Sequence, residues 1–251
     1  MSKGRTPRTL SVIRKHQLTP HMLRVTFGGD DLSDFPQNPN SAHIKLRLTE
    51  PEDPSIEKPV LRTYTVRHFD PVKLEMAVDF VLHESDGPAS QWATNCTVGE
   101  TIRIMGPGPT KLVDHDADWF LLVGDMSALP AIAANIEMLP SDARGMAIIE
   151  VINEEDQQDF ATPDDLQIRW CVNSDPEQDN SVLFDAVNEF AWLDGRPSVW
   201  VAGEFSQSLA IRRFLVQERN VTRHDMYASS YWQIGQTEDG HRVSKASLRN
   251  V

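Results

Sequence analysis

Residues 120–132 read FLLVGDMSALPAI, and this stretch decides the fold of the second half of the chain. Its first four residues form an unbroken apolar run, which is typical of a strand buried on both faces of a sheet. From Leu129 the apolar residues recur at the spacing of one helix face, through Ile132, Ala133 and Ile136. A buried strand, a short turn and a helix in this order predict the first βα unit of a parallel sheet.

The same alternation of strand and helix patterns continues toward the C-terminus. Apolar runs predict further strands at residues 146–152, 168–172, 198–202 and 226–232, and helical spacing predicts helices at 182–193 and 208–217. Residues 116–251 are therefore predicted to form a nucleotide-binding α/β domain around a parallel sheet.

Residues 1–115 show a different pattern, in which short β-rich segments are separated by polar turns. The clearest segment is HIKLRL at residues 43–48, where apolar side chains alternate with cationic or polar ones. Six short strands predict an antiparallel β-barrel. The six segments are residues 10–13, 22–27, 44–48, 61–66, 74–82 and 101–105.

The composition excludes several classes of protein. The chain has 251 residues, 40% of them hydrophobic, and its formal charge of −13 argues against binding to nucleic acid. It has no apolar run of the roughly 18 residues that a membrane span needs, and residues 1–20 lack the apolar stretch of a signal peptide, so we predict a cytoplasmic protein. Cys96 and Cys171 are far apart and predict neither a disulfide scaffold nor a metal site.

The barrel region contains RTYTVR at residues 62–67. On a strand, Arg62 and Tyr64 face one way while Thr63 and Thr65 face the other. A barrel followed by an α/β domain resembles the ferredoxin-NADP reductase superfamily, whose flavin-binding strand carries R-x-Y-[ST]. Tyr64 would stack beside an isoalloxazine, Arg62 would bind the flavin phosphate, and Thr65 would hydrogen-bond near the reactive ring nitrogen. The alternative is an ordinary strand in which Tyr and Thr serve β-propensity.

A second motif, HESDGPASQWA, occupies residues 83–93. Gly followed by Pro begins a short helix, and the N–H groups of its first turn can receive a pyrophosphate. Together the two motifs resemble the siderophore-interacting protein family, in which R-x-Y-T, a strand ending in His, and G-P-A-S-x-W-A bind FAD. The residues that this resemblance assigns to FAD are Arg62, Thr63, Tyr64, Thr65, His83, Gly87, Ala89, Ser90 and Trp92.

Three further segments extend the resemblance to the second half. GDMSALPA at residues 124–131 resembles the family segment where the nicotinamide cofactor docks, although a plain βα turn is the alternative because G-x-G-x-x-G is absent. WVAGE at 200–204 resembles a second dinucleotide-facing segment, and YWQIG at 231–235 matches the family's Y-W-x-x-G, whose aromatic would shield the flavin or shape the pocket. The cofactor-binding residues implied here are Gly124, Asp125, Ser127, Ala128, Gly203, Glu204 and Trp232.

The resemblance implies a monomeric FAD-dependent reductase that uses NADPH or NADH to reduce iron(III) in a ferric siderophore. Lys45 is the predicted catalytic residue at the substrate, with Arg242 from the tail as its partner. Arg47, Arg103 and Lys245 are weaker candidates for contacts with an anionic siderophore.

Two questions stay open at this point. The short C-terminus resembles the NADPH-using branch of the family, whereas the acidic stretch at residues 150–155 would suit a ribose hydroxyl and disfavour a 2′-phosphate. The alternative functions are a general flavin reductase or electron-transfer component, and a siderophore-binding protein without catalytic activity.

Overall fold

The computed structural model describes residues 7–49, 59–82, 87–178, 181–236 and 240. The chain separates into two compact units, unit 1 at Met1–Lys111 and unit 2 at Leu112–Val251. This division and the boundary predicted after residue 115 lie in the same loop, residues 106–118.

Unit 1 is built on one antiparallel sheet with the strand order β4-β3-β7-β1-β2-β6-β5. All six predicted strands are confirmed, and a seventh strand, β5, pairs with β6. A three-residue strand is too short to show a period in the sequence, which is why β5 was not predicted. The strands are β1 Arg8–Thr19, β2 Met22–Gly28, β3 His43–Arg47, β4 Leu61–Thr65, β5 His68–Asp70, β6 Glu75–Val81 and β7 Thr101–Met105.

The sheet of unit 1 curls so that β4, at one end of the strand order, returns to β6. The ring of Tyr64 lies 4.4 Å from that of Phe80 on β6, centroid to centroid, and the backbone N–H of Arg67 donates to the carbonyl of Ala77 at 2.9 Å. The apolar positions of β3 and β7 are fully or almost fully buried on the inner side. The predicted barrel is thus confirmed as a curled sheet around one hydrophobic core.

A helix, α1 at Pro88–Asn95, connects β6 to β7. It begins where predicted, since Gly87 is extended at the N-cap and Pro88 occupies the first helical position, where the missing N–H costs nothing. The helix buries Ala89, Ser90 and Ala93 and ends at Cys96, whose backbone is extended.

Unit 2 is a five-stranded parallel sheet with the order β10-β9-β8-β11-β12, as the βα pattern predicted. From β8 the chain moves outward through β9 and β10, then returns to β11 and β12 on the other side. The strand order thus reverses between β8 and β11. In open α/β sheets, ligands bind in a crevice outside the carboxyl ends of the strands at such a reversal. The elements are β8 Trp119–Gly124, α2 Leu129–Ile136, β9 Gly145–Val151, β10 Leu166–Val172, α3 Val182–Glu189, β11 Pro197–Glu204, α4 Phe205–Glu218 and β12 Met226–Trp232.

The predicted helix at residues 182–193 is too long, because α3 ends at Glu189 and Phe190 is extended. Beyond the helix, the rings of Phe190 and Trp192 lie 5.9 and 4.7 Å from that of Trp119 on β8. The helix therefore ends at Glu189 because the rings of Phe190 and Trp192 pack on Trp119. Across the described ranges, no helix is both long and apolar enough to cross a membrane.

Candidate functional site

The RTYT motif lies on β4, in register with β3. Lys45 is directly opposite Thr63, and Ile44 is opposite Tyr64. Directly opposed residues on antiparallel strands share a face, so Thr63 stands beside Lys45 while Tyr64 turns toward Phe80 and the core. The alternation predicted for this strand is confirmed.

Lys45 is half-buried, and its ammonium group makes no hydrogen bond or ion pair with any residue that the structure describes. Arg47 and Arg103 are opposite each other on β3 and β7, and both have interaction partners of their own. Within these strands Lys45 is therefore the cation that is available to a ligand. Arg242 and Lys245 lie outside the described residues.

The first turn of α1 presents hydrogen-bond donors that nothing in the helix accepts. No side chain caps this end, and the first turn carries no acidic residue. The hydroxyl of Ser90 is occupied, since its Oγ donates to the carbonyl of Gly87 at 2.9 Å. The backbone N–H groups of Ala89 and Ser90 have no intrahelical acceptor, and together with the helix dipole they suit a phosphate group. His83 lies outside the described residues.

Trp92 forms one wall of a cavity of about 380 Å³ along α1. Its ring stacks on Phe27 at 6.0 Å and 19°, and its Nε1 donates to Glu100 Oε1 at 3.1 Å. The indole is thus fixed by Phe27 and by Glu100, and Glu100 also lines the cavity. The lining residues are Leu48, Thr49, Pro88, Gln91, Trp92, Asn95, Cys96 and Glu100.

In unit 2, Asp125 follows directly after β8 and is only 6% exposed. Its Oδ1 accepts from the backbone N–H of Ser127 at 2.9 Å, from the Ser127 hydroxyl at 2.5 Å and from the N–H of Ala128 at 3.3 Å. Its Oδ2 accepts from the N–H of Glu204 at 2.9 Å and from Trp232 Nε1 at 2.7 Å. One carboxylate thus joins the carboxyl ends of β8, β11 and β12.

Two glycines make this arrangement possible. Gly203 has φ +150°, and a Cβ at that position would lie 2.6 Å from Asp125 Oδ2. A Cβ on Gly124 would lie 2.6 Å from the carbonyl oxygen of Ala202 and 2.7 Å from the Cβ of Ala128. Both glycines of the predicted cofactor segments are therefore required by close approach within the protein itself.

A further buried polar group, around Glu150, was not predicted from the sequence. Asn173 and Gln207 donate side-chain N–H groups to Glu150 Oε2 at 3.2 and 3.5 Å, and all three residues are at most 7% exposed. The N–H of Gln207 also donates to Glu204 Oε2 at 3.0 Å. Hydrogen bonds therefore run along the carboxyl edge of the whole sheet. The available signal was a carboxylate inside the apolar run AIIEVI at residues 147–152.

Comparison with known proteins places these features in a family. Residues 117–235 match the family described as "Siderophore-interacting protein", and residues 11–57 and 51–111 match the "Siderophore-interacting FAD-binding domain". The chain belongs to the siderophore-interacting protein family. The two matches divide the chain as the two units do, so unit 1 carries the family's FAD-binding domain.

Two of the similar proteins match almost the whole chain. Ferric vibriobactin reductase ViuB of Vibrio cholerae is 36% identical over 95% of this chain and 94% of that protein. The structure of the siderophore-interacting protein SipS from Aeromonas hydrophila has a TM-score of 0.88 and 32% identity, with 99% of each chain covered.

The fold is also similar to that of a protein outside the siderophore-interacting family. Ferredoxin-NADP+ reductase from Plasmodium falciparum has a TM-score of 0.63 at 10% identity, covering 90% of this chain and 97% of that one. At this identity the likeness concerns the fold alone. The ferredoxin-reductase-like fold predicted from the sequence is thereby confirmed.

Proposed function

We propose that this protein is a cytoplasmic ferric-siderophore reductase that transfers electrons from NAD(P)H through FAD to chelated iron(III). One observation carries the proposal: Lys45, a cation without a partner among the described residues, stands directly opposite Thr63 of the RTYT motif. A site for an anionic chelate thus adjoins the proposed flavin strand. The full-length similarity to ferric vibriobactin reductase supports the same reaction.

The residues of unit 1 fit FAD. Tyr64 offers a ring fixed by Phe80, the first turn of α1 offers backbone donors for the pyrophosphate, and Trp92 walls a cavity for the adenosine end. Arg62 would pair with a phosphate oxygen, and Thr65 would donate near the reactive ring nitrogen. When bound, FAD supplies the chemistry of accepting a hydride and releasing its two electrons one at a time.

The donor NAD(P)H is proposed to dock on unit 2, at the crevice between β8 and β11. The turn at Ser127 and Ala128, and the close-packed Gly124 and Gly203, leave backbone and small side chains at that edge. A dinucleotide can approach such a surface closely. NAD(P)H is abundant in the cytoplasm, and each proposed group lies on one chain, so we propose that the protein acts there as a monomer.

Iron is a substrate in this proposal and arrives inside its chelator. The described part of the chain contains no group of three or more His, Cys, Asp or Glu side chains that could hold a metal ion. Lys45, with Arg242 as the proposed second cation, would offset the repulsion between an anionic chelate and a chain of charge −13. One hydride supplies the two electrons that reduce two iron(III) ions to iron(II).

An anaerobic absorbance titration tests the proposal. The purified protein is expected to show a flavin spectrum that NADH or NADPH bleaches. Addition of a ferric siderophore with a ferrous-iron chelator should restore the oxidised spectrum and release iron(II). A reduced flavin that reoxidises with free flavin but not with iron chelates would indicate a general flavin reductase. A protein that binds a siderophore but no flavin would indicate a carrier.

A further inference from the structure

The chain has six tryptophans, and Trp232 differs from the other five. Each of the others places its ring next to another aromatic ring, as Trp92 does with Phe27 and Trp170 with Phe160. No aromatic ring among the described residues stacks on Trp232, which is half-exposed. The indole is nevertheless fixed, since its Nε1 donates to Asp125 Oδ2 at 2.7 Å.

Both carboxylate oxygens of Asp125 accept hydrogen bonds from groups within the protein. Five N–H and O–H groups converge on its two oxygens, from Ser127, Ala128, Glu204 and Trp232. A carboxylate in this state has no strong acceptor position left for a cofactor hydroxyl or amide. Asp125 therefore acts on a ligand through the groups that it holds.

Glu204 provides a second anchor for the same segment. Its Oε1 accepts from the N–H of Ile234 at 3.3 Å, two residues beyond Trp232, while its Oε2 caps α4 through Gln207. On the other side, the Ser230 hydroxyl donates to the carbonyl of Trp232 at 3.1 Å. The backbone around Trp232 is thus held from both directions, and the indole ring is held by Asp125.

We infer that Asp125 and Glu204 are positioning residues, which fix the ring of Trp232 as the surface against which the nicotinamide ring of NAD(P)H lies. The inference rests on the proposed function and assigns these two carboxylates a role other than contact with the cofactor. It follows from three features: an unstacked aromatic face, a buried anchor for its N–H, and a position at the crevice of the parallel sheet.

Anaerobic stopped-flow reduction of the flavin tests this role, with the NAD(P)H concentration varied to separate the dissociation constant from the limiting rate. Trp232→Phe keeps a ring but loses the N–H, and Trp232→Leu loses the ring. Both are expected to raise the dissociation constant roughly 10-fold, as is Asp125→Asn, which turns an amide N–H toward the surrounding donors. Because Asp125 acts through Trp232, the Asp125→Asn/Trp232→Phe double variant should bind NAD(P)H no more weakly than the weaker single variant.

Matched controls separate positioning from general damage. Trp170→Phe and Asp142→Asn make the same chemical changes elsewhere in unit 2 and should leave both constants as in the parent. Reoxidation of dithionite-reduced protein by a ferric siderophore should be unchanged in every variant.

Three outcomes would overturn the inference. The first is a double variant whose increase in the NAD(P)H dissociation constant equals the product of the two single increases. The second is a Trp232→Leu variant that binds NAD(P)H as tightly as the parent, and the third is a Trp232 or Asp125 variant that NAD(P)H reduces normally but a ferric siderophore reoxidises more slowly. If Asp125→Asn fails to fold, the two Trp232 variants still decide. A parent flavin that neither NADH nor NADPH reduces would overturn the proposed function and this inference with it. A parent reduced normally, with variants equal to it, overturns the inference alone.

Discussion

Lys45 and the first turn of α1 in unit 1 differ from Asp125 and Glu204 in unit 2 in how many hydrogen-bond partners the protein itself provides. In unit 1, Lys45 has no partner among the described residues, and the first turn of α1 has no capping side chain. In unit 2, Asp125 and Glu204 are buried and accept seven hydrogen bonds from neighbouring groups. Resemblance assigned both sets to ligand binding, but the geometry separates groups that can receive a ligand from groups that hold other groups in place.

Burial explains the difference. A half-exposed lysine remains hydrated when unpaired, so leaving it without a partner until an anionic ligand binds destabilises the folded protein little. A buried carboxylate has lost its water and needs protein donors in its place. Burial raises the pKa of Asp125, and hydrogen bonds from Ser127 and Trp232 act against that rise. The charge in unit 2 is therefore part of the scaffold, whereas the charge in unit 1 is part of the proposed binding surface.

The largest expected effect concerns Gly203, which makes room for the Asp125 carboxylate. Gly203→Ala places a Cβ 2.6 Å from Oδ2 at φ +150° and should lower the free energy of unfolding by about 3 kcal/mol in urea titrations. Gly235→Ala is the matched control, because Gly235 has φ +71° but nothing within 4 Å of the added Cβ. It should cost about 1 kcal/mol. Equal costs would mean that Asp125 does not constrain this strand.

A slightly smaller effect is expected at the N-cap of α1. Gly87 is extended, at φ −67° and ψ 141°, so other residues fit without strain. Gly87→Asp should stabilise the flavin-free protein by a few tenths of a kcal/mol, because the carboxylate caps the helix. It should also weaken FAD binding by about 100-fold, since its charge lies where the pyrophosphate is proposed to bind.

Gly87→Asn is the control for this charge effect. It caps the helix equally well without a negative charge, so the flavin-free protein should be stabilised to a similar degree. Equilibrium titration with FAD, followed by fluorescence quenching, measures both affinities. Equal FAD affinity in the Asp and Asn variants would show that no phosphate binds at this helix end.

The sequence predicted the elements of the fold better than the connections among its polar groups. Period-2 alternation located β3, and the apolar run before Gly124 located β8, because burial of one or both faces determines these patterns directly. The end of α3 was misplaced since packing of Phe190 on Trp119 overrides helical spacing. Such a contact joins residues that are distant along the chain and leaves no periodic signal.

Contacts between distant residues in the candidate site were likewise not predictable from the sequence. Motifs located Asp125, Glu204 and Trp232 individually, but nothing in the sequence joins an aspartate to an indole 107 residues away. The hydrogen bonds among Glu150, Asn173 and Gln207 likewise depend on strand order, which brings the ends of β9 and β10 and the start of α4 together.

A third prediction concerns Lys45 and the charge of the substrate. Lys45→Ala should raise KM for an anionic ferric siderophore about 10-fold and leave KM for a neutral ferric chelate unchanged, because only the anion loses a charge partner. Lys73→Ala is the control, since that lysine already pairs with Asp70 at 3.5 Å on the exposed surface. Steady-state iron(II) release with both substrates measures the effect. Equal changes for the two substrates would assign Lys45 to the flavin or to the scaffold.

A fourth and smaller effect concerns unit 2, where exposed acidic side chains should determine whether NADH or NADPH is the better donor. Glu154 and Glu155 after β9, and Asp175 and Glu177 after β10, are exposed, whereas Asp156 is buried in a capping box with Asn153. Residues 152–165 and 173–178 contain no Lys or Arg. At the carboxyl end of β9, these two segments offer a 2′-phosphate acidic side chains and no cation, whereas a ribose hydroxyl could donate to one of the carboxylates.

We therefore expect kcat/KM to be about 5-fold higher for NADH than for NADPH. Glu155→Arg should narrow or reverse this ratio, chiefly through KM for NADPH, because an arginine can bind the 2′-phosphate. Glu137→Arg, an exposed change of the same kind directly after α2, should leave the ratio as in the parent. A parent that prefers NADPH, with a ratio that Glu155→Arg does not change, would place the adenosine ribose away from the end of β9.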